Sequence, residues 1–176
     1  MALNQIFKLN IPFKRLMKLG GSLGSDVVFF LSNKKFAFGY SRGEKLKFIN
    51  YPSKIKLWHI IIAPKNKYLT KDMYGKYDKF LKLTKKTLDD KIKCSIKTKI
   101  TSLVIKKSLF NSFEHVAEPL ISQIKQRLAQ INVKYTLMSG SGSAVFGIVE
   151  TRKEAEGLAR YLKSIKLGQI FVVKTY

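Results

Sequence analysis

The fold of this chain is decided by residues 134–174, which read KYTLMSGSGSAVFGIVETRKEAEGLARYLKSIKLGQIFVVK. Apolar residues with high strand propensity occupy 134–138 and 144–149, on either side of a segment that alternates serine and glycine. A third run of this kind lies at 169–174. The stretch therefore predicts three strands, the first two joined by the serine and glycine segment.

A helix is predicted between the second and third of these strands, over 152–165. Thr151 is a favoured N-cap residue, and Glu154 stands three positions later, in capping-box spacing. Further upstream, 57–63 is an apolar run that ends at Pro64 and predicts a buried strand.

Two more helices are predicted between 57–63 and the quoted stretch, over 73–83 and from 111 to about 131, the second kinked or split by Pro119. The order is then strand, helix, strand, strand, helix, strand, the split βαβ arrangement of ferredoxin-like domains. We therefore predict an α+β fold with a ferredoxin-like unit over 56–176. The residues expected to pack on its mostly antiparallel sheet are Phe113, Leu120, Ile124, Leu158 and Leu162. Residues 84–107 have no definite assignment.

Residues 1–55 lie outside this unit and predict helices followed by a short hairpin. Apolar residues at helical spacing run through the first 31 residues, and Pro12 fits the first turn of a second helix. Three glycines are expected to interrupt these helices: Gly20, Gly21 and Gly24. Between 36 and 49, apolar and basic residues alternate around a turn at Ser41-Arg42-Gly43-Glu44.

Composition places the chain among globular proteins, since 45% of its 176 residues are hydrophobic despite a net charge of +23. No apolar run is long enough to cross a bilayer, and the first residues do not resemble a signal peptide. The single cysteine, Cys94, cannot form an internal disulfide, and no cysteine and histidine spacing suggests a metal site. These features predict a cytoplasmic protein with no membrane partner and no bound structural metal.

The positive charge does not by itself indicate a nucleic-acid partner. Lysine accounts for 29 of the 34 basic residues, whereas proteins that bind phosphates and base edges favour the planar fork of arginine. The densest stretch, 76–107, has few interleaved aromatic residues and is typical of a solvated surface. We therefore expect the lysines to attract small anions rather than to form a nucleic-acid site.

Two segments could carry chemistry. Asp26 follows a glycine-rich turn and precedes an apolar run, so it can serve as a base or orient a hydroxyl. The alternative is that Asp26 or Ser25 only caps the helix that follows, and the spacing alone favours the cap. Ser139-Gly140-Ser141-Gly142-Ser143 lets backbone N–H groups converge on an anion, and equally fits a wide hairpin turn. Asn111-Ser112-Phe113-Glu114 by itself predicts only a helix N-cap.

Five segments stand in an order shared with one kinase family. They are Leu23-Gly24-Ser25-Asp26-Val27-Val28-Phe29-Phe30-Leu31, Ser41-Arg42-Gly43-Glu44-Lys45-Leu46, Thr70-Lys71-Asp72-Met73-Tyr74, Asn111-Ser112-Phe113-Glu114 and Met138-Ser139-Gly140-Ser141-Gly142-Ser143-Ala144-Val145-Phe146. Over essentially the whole chain they resemble the 4-diphosphocytidyl-2-C-methyl-D-erythritol kinases of the GHMP kinase superfamily. That family has Gly-Ala/Ser-Asp-Val-Pro-Phe-Phe, Gly-Arg-Gly-Glu-x-Leu, Ser/Thr-x-x-x-Tyr/Phe, Asn-Asp-Leu-Glu and Met-Ser-Gly-Ser-Gly-Ser-x-x-Phe. Val28 stands for the family's proline and Ser112 for its aspartate.

The resemblance also implies a missing part. The family's Pro-x-Gly-x-Gly-Leu-Gly-Gly-Gly-Ser-Ser phosphate loop and its N-terminal lysine do not occur in this sequence. The chain thus resembles the C-terminal portion of such a kinase, with 1–55 as a partial N-terminal GHMP domain and 56–176 as the C-terminal one. A fragment, an internal start and one half of a split enzyme all fit this pattern, and the missing N-terminal half is a candidate partner.

The resemblance assigns roles by position. Asp26 would be the catalytic carboxylate for the substrate hydroxyl, and the 139–143 segment would lie beside the phosphates of ATP, which brings Mg²⁺ with it. Tyr74 would stack on the cytosine of a substrate that carries a cytidine diphosphate group. The implied reaction is ATP-dependent phosphorylation of the 2-hydroxyl of 4-diphosphocytidyl-2-C-methyl-D-erythritol in non-mevalonate isoprenoid biosynthesis, without substantial activity of this chain alone. The alternative is a non-catalytic basic α+β module that binds a nucleotide, RNA or a partner protein.

Overall fold

The computed structural model describes residues 2–34, 36–41, 43–48, 56–84 and 102–175. The chain divides into two compact units, an N-terminal unit of residues 1–52 and a C-terminal unit of residues 53–176. The boundary predicted at 55 falls in 49–55, outside the described residues, as do Arg42 and Cys94.

The N-terminal unit consists of helices followed by a hairpin. Its elements are α1 (Ala2–Ile6), α2 (Phe13–Leu23), α3 (Ser25–Leu31), β1 (Ala37–Tyr40) and β2 (Lys45–Phe48). The two strands pair antiparallel, with Ala37 opposite Phe48. The predicted helices and the predicted hairpin are confirmed.

The predicted helix break at Gly20 and Gly21 is wrong. Helix α2 continues through both glycines to Leu23, and the chain leaves the helix only at Gly24. Gly20 is buried against α3, where an added Cβ would lie 2.4 Å from Cδ1 of Leu31. The missing side chain therefore serves close packing of two helices, a use of glycine that sequence spacing does not distinguish from a turn.

The C-terminal unit has the predicted ferredoxin-like topology. Its elements are β3 (Trp58–Ala63), α4 (Thr70–Thr84), α5 (Ser102–Lys107), a 3₁₀ turn (Ser112–His115), α6 (Pro119–Gln130), β4 (Tyr135–Met138), β5 (Val145–Val149), α7 (Arg152–Ser164) and β6 (Gln169–Lys174). The strands form one sheet in the order β4-β5-β3-β6, and all neighbours are antiparallel. Of the unassigned stretch, Thr84 ends α4 and 102–107 forms α5, and 85–101 lies outside the described residues.

The core of this unit lies between one face of the sheet and helices α6 and α7. Ile60 and Ile62 alternate with more exposed residues along β3 and are fully buried, as are Ile124 and Leu162 on the helices. Burial of each such side chain contributes about 1.5–3 kcal/mol. The packing predicted for five residues is confirmed: Phe113, Leu120, Ile124, Leu158 and Leu162 all belong to the core or contact it.

Two local signals set the helix starts. Pro119 splits the predicted long helix, since it occupies the first turn of α6, where its missing N–H costs no hydrogen bond. Thr151 caps α7 by accepting a hydrogen bond from the Glu154 N–H at 3.1 Å. The Glu154 carboxylate accepts from the Glu150 N–H at 3.0 Å, one residue before the position that a capping box predicts.

Candidate functional site

Asp26 lies in the first turn of α3, on the surface of the N-terminal unit. Gly24 is the N-cap and makes no side-chain hydrogen bond, so the hypothesis that Asp26 or Ser25 caps this helix is not supported. Within the described residues, the Asp26 carboxylate has no hydrogen bond or ion pair. It is therefore available to accept a proton or a hydrogen bond from a ligand.

The hairpin turn lies beside the start of α3. An added Cβ on Gly43 would be 3.6 Å from Cβ of Ser25, the residue before Asp26. Within the same unit a cleft of about 420 Å³ opens, lined by Met17, Lys18, Gly21, Val28, Glu44, Leu46 and Phe48. The start of α3 and the turn residues Gly43 and Glu44 thus lie close together within this unit.

The glycine-serine loop, residues 139–143, joins β4 to β5 in the C-terminal unit. The Ser139 N–H donates to the Ala144 carbonyl at 2.8 Å, and the Gly142 N–H donates to the Ser139 carbonyl at 2.9 Å. Gly140 and Gly142 have φ values of +55° and +89°, which favour glycine. An added Cβ on Gly142 would also lie 2.7 Å from the ring of Tyr68. The loop is a closed hairpin whose conformation depends on its glycines.

Hydroxyl groups fasten this loop to the segment before α4. Ser141 Oγ and Thr70 Oγ1 are hydrogen-bonded at 3.0 Å, and the buried Ser143 hydroxyl donates to the Asn66 carbonyl. Three amide groups of the loop, those of Gly140, Ser141 and Ser143, donate no hydrogen bond to any described residue. Unpaired N–H groups on a short glycine-containing turn suit an anion.

Asn111 and Glu114 hold the other side of the loop, which the sequence did not predict. Asn111 Oδ1 accepts from the Phe113 N–H at 3.0 Å, the predicted cap, but its Nδ2 also donates to the carbonyls of Met138 and Gly140, both at 2.8 Å. Glu114 accepts from the Met138 N–H at 2.7 Å and from Lys125 Nζ at 2.6 Å. The only sequence signal is that Asn111-Ser112-Phe113-Glu114 accompanies the glycine-serine segment in the resembling family.

Tyr74 lies on α4 with 56% of its surface exposed. Its ring meets Phe113 edge to face, with centroids 4.9 Å apart and planes at 86°. Tyr77 contacts Phe113 as well, at 5.8 Å. Phe113 therefore supports one side of the Tyr74 ring, and the same short turn carries Asn111 and Glu114 to the loop.

The surroundings of Tyr68 are positively charged. A cavity of about 590 Å³ next to α4 is lined by Lys67, Lys71, Lys76 and Lys79, with Asp72 and Glu118 as its acidic residues. Lys76 pairs with Glu118 at 3.5 Å. Burial raises the pKa of the Tyr68 hydroxyl, and the negative charge of Glu118 raises it further. The backbone of Glu118 acts in the opposite direction, although it forms no hydrogen bond with the Tyr68 hydroxyl. The excess of lysines favours anions at this end of the unit.

Residues 107–166 match the protein family described as "GHMP kinases C terminal". The chain carries a GHMP kinase C-terminal domain. The resemblance in sequence is thereby confirmed, and the matched residues include the Glu114 and glycine-serine loop contacts. In the described ranges no helix is long and apolar enough to cross a membrane, and no group of three or more acidic, histidine or cysteine residues could hold a metal ion.

Relatives extend the similarity beyond the C-terminal domain. The chain is 34% identical over 179 residues to the 4-diphosphocytidyl-2-C-methyl-D-erythritol kinase of Syntrophus aciditrophicus (strain SB), covering 99% of this chain and 61% of that kinase. The enzyme of that name from Alkaliphilus oremlandii (strain OhILAs) is 31% identical over 179 residues, covering 100% and 60%. The chain thus spans about three fifths of these relatives.

Two solved structures share the fold. A crystal structure of 4-(cytidine 5'-diphospho)-2C-methyl-D-erythritol kinase matches 98% of the chain with a TM-score of 0.75 and 23% identity, over 60% of that protein. Homoserine kinase from Cytophaga hutchinsonii ATCC 33406 matches 99% of the chain with a TM-score of 0.66 and 16% identity, over 61% of its length. The structural matches therefore agree with the GHMP kinase fold that the sequence match indicates.

Proposed function

We propose that this chain takes part in ATP-dependent phosphorylation of the 2-hydroxyl of 4-diphosphocytidyl-2-C-methyl-D-erythritol, in isoprenoid biosynthesis. The relatives named for this substrate support the assignment, since they align with nearly all of the chain. The observation that carries it is the glycine-serine loop, because three of its five backbone amide groups lack acceptors within the described residues. Those amides suit the phosphates of ATP.

Mg²⁺ would accompany ATP in this proposal. In phosphoryl-transfer sites the metal takes one or two carboxylates, together with water and the phosphates of the nucleotide. The absence of a preformed cluster of ligands among the described residues is compatible with that arrangement. When bound with ATP, the ion neutralises charge that develops on the transferred phosphoryl group.

Asp26 would act on the substrate hydroxyl. Its exposed carboxylate, without a described partner, can accept the hydroxyl proton or orient the hydroxyl for attack on the terminal phosphoryl group of ATP. Rates of such transfers depend on positioning, and displacement by about 1 Å can cost about 100-fold. Asp26 is therefore the proposed catalytic residue.

Tyr74 would bind the cytosine of the substrate. An aromatic ring that stacks on a base contributes about 1–3 kcal/mol, provided that the ring is exposed and held in place. Tyr74 is more than half exposed and rests on Phe113 at 4.9 Å. These properties fit a stacking residue.

We also propose that residues 1–55 are part of an N-terminal GHMP domain, that 56–176 are the C-terminal domain, and that a further N-terminal region completes the site. The chain spans about three fifths of the length of the Syntrophus relative, which supports this proposal. Further support comes from the apolar residues that the N-terminal unit exposes, among them Leu3, Ile6 and Phe7. On this proposal the chain alone has no substantial kinase activity. The non-catalytic alternative is not favoured, because the relatives are named as kinases.

The proposal is tested by measuring ATP-dependent phosphorylation with the chain alone and with the chain fused to the N-terminal region of the Syntrophus kinase. We expect activity only in the fusion, and a loss of at least about 100-fold in kcat from Asp26→Asn in that fusion. Asp78→Asn is the matched control, because it makes the same chemical change at an exposed residue of α4 that lines neither of the cavities described above. Full activity of the Asp26→Asn fusion, or strong activity of the chain alone, would contradict the assignment.

A further inference from the structure

Asn111 binds two successive carbonyl groups at the start of the glycine-serine loop with one side-chain amide. We infer that Asn111 is a positioning residue that aims the Ser141 N–H at a bound phosphate group. The inference rests on the proposed function, since it takes the loop to be the phosphate-binding one. Asn111 itself need not touch the ligand.

The peptide unit is planar, and its C=O and N–H groups point in opposite directions. Asn111 Nδ2 donates a hydrogen bond to the Met138 carbonyl at 2.8 Å, so the N–H of the same peptide unit, that of Ser139, points away from Asn111. The Ser139 N–H donates to the Ala144 carbonyl at 2.8 Å. Nδ2 also draws the Gly140 carbonyl at 2.8 Å. The Ser141 N–H therefore points away from Asn111, and no described residue accepts it.

Without this contact the orientation of the Gly140–Ser141 peptide would be weakly determined. Gly140 has a φ of +55°, an added Cβ there would meet nothing within 4 Å, and glycine tolerates both signs of φ. Rotation of that peptide would replace the N–H at the ligand position by a carbonyl oxygen. A partial negative charge would then face the phosphate, so Asn111 determines the sign of the dipole that the anion meets.

Glu114 has a separate part in the arrangement. It holds the Met138 N–H at 2.7 Å and is itself paired with Lys125 at 2.6 Å. These contacts fix the end of β4, which is the base of the loop. Asn111 alone of the two reaches the Gly140 carbonyl, so the peptide orientation depends on Asn111 rather than on Glu114.

The test uses Asn111→Ser in the full chain. Serine is a good N-cap residue and keeps an acceptor for the Phe113 N–H, but it has no amide group to donate to two carbonyls. Asn132→Ser is the matched control, because it makes the same chemical change at an exposed turn residue. Inorganic tripolyphosphate is titrated into each ¹⁵N-labelled protein, and the amide resonances of residues 139–143 are followed by NMR.

We expect the Ser141 amide of the wild-type chain to shift on titration, and Asn111→Ser to bind tripolyphosphate at least about tenfold more weakly while it stays folded. Its thermal midpoint should fall slightly, because two hydrogen bonds to backbone carbonyls are lost. Equal affinity and an equal Ser141 shift in Asn111→Ser would overturn the inference and leave the proposed function intact. A wild-type loop that does not respond would overturn the inference alone, because in the proposed function a further N-terminal region completes the site, and the fusion tests that function separately. If Asn111→Ser does not fold, Asn111→Thr replaces it, because threonine also keeps an acceptor for the Phe113 N–H and has no amide group to donate.

Discussion

The two units of this chain follow the same helical pattern of apolar residues but differ in what those residues contact. In the C-terminal unit, helices α6 and α7 lie on a sheet, and Ile124, Leu128 and Leu162 are fully buried. In the described part of the N-terminal unit only Gly20 and Val28 are buried. An amphipathic helix therefore predicts that its apolar face is covered, but it does not predict that the covering surface belongs to the same chain.

The largest expected effect comes from a pair of leucines, one in each unit. Leu162 is fully buried, whereas Leu23 is 81% exposed. We expect Leu162→Ala to lower the free energy of unfolding by about 2–5 kcal/mol, because it leaves a cavity in the core. Leu23→Ala should change it by less than about 0.5 kcal/mol. Urea unfolding of both variants measures the difference, and similar losses would mean that the N-terminal unit has a core of its own.

A pair of glycines tests how rigid the two units are. An added Cβ on Gly168 would lie 2.4 Å from the Ala63 carbonyl oxygen, and its φ of +150° is rarely adopted by residues with a side chain. Gly168→Ala should therefore cost about 1–3 kcal/mol. An added Cβ on Gly20 would meet side-chain atoms and no backbone, Cδ1 of Leu31 at 2.4 Å and Cγ1 of Val27 at 3.3 Å. The Leu31 side chain can rotate, and alanine favours the helix. We expect a change within about 1 kcal/mol.

Hydrogen exchange followed by mass spectrometry locates the effect of each glycine change. The peptides of β3 and β6 should lose protection in Gly168→Ala, and those of α2 and α3 should change little in Gly20→Ala. A larger loss in Gly20→Ala than in Gly168→Ala would reverse the comparison.

The smallest expected effect is that of pH, and it belongs to the C-terminal unit, because residues 1–52 contain no histidine. Burial of His59 in β3 lowers its pKa below the ordinary value of 6.5, and a hydrogen bond with the Leu57 backbone partly opposes this. Between the folded pKa and 6.5 the unfolded chain binds more protons, so stability falls as pH falls through this window. Urea unfolding from pH 7.5 to about 5.5 should show the decline, and His59→Gln should reduce it. An equal decline in His59→Gln would assign it elsewhere.

Prediction from sequence succeeded where the signal was local. The predicted bounds of β6 match the structure, and those of β4, β5 and α7 differ by one residue, because caps and turns are encoded by neighbouring residues. The ferredoxin-like sheet order then followed from the order of elements. The predicted helix break at residues 20–21 was wrong because glycine occurs both in turns and at close contacts between helices.

The contacts of Asn111 with the loop could not be predicted for a different reason. The Met138 and Gly140 carbonyls lie 27 and 29 residues away in sequence, and every residue carries such a group. When a side chain binds a backbone carbonyl, the residue that supplies the carbonyl can be of any type, so no complementary side chain marks the contact in the sequence. Asp26, Tyr74 and the 139–143 residues stay predictions as site residues, since their assignment depends on family resemblance.

Tyr68 and Gly142 have a consequence for how this sequence can evolve. The Tyr68 ring occupies the volume in which any side chain at position 142 would begin, 2.7 Å from the added Cβ. Sδ of Met138 lies 2.8 Å from the same point, and the φ of +89° at 142 is one that residues with a side chain rarely adopt. A smaller residue at 68 therefore does not open position 142 to substitution, and lineages that vary at 68 should still keep glycine at 142.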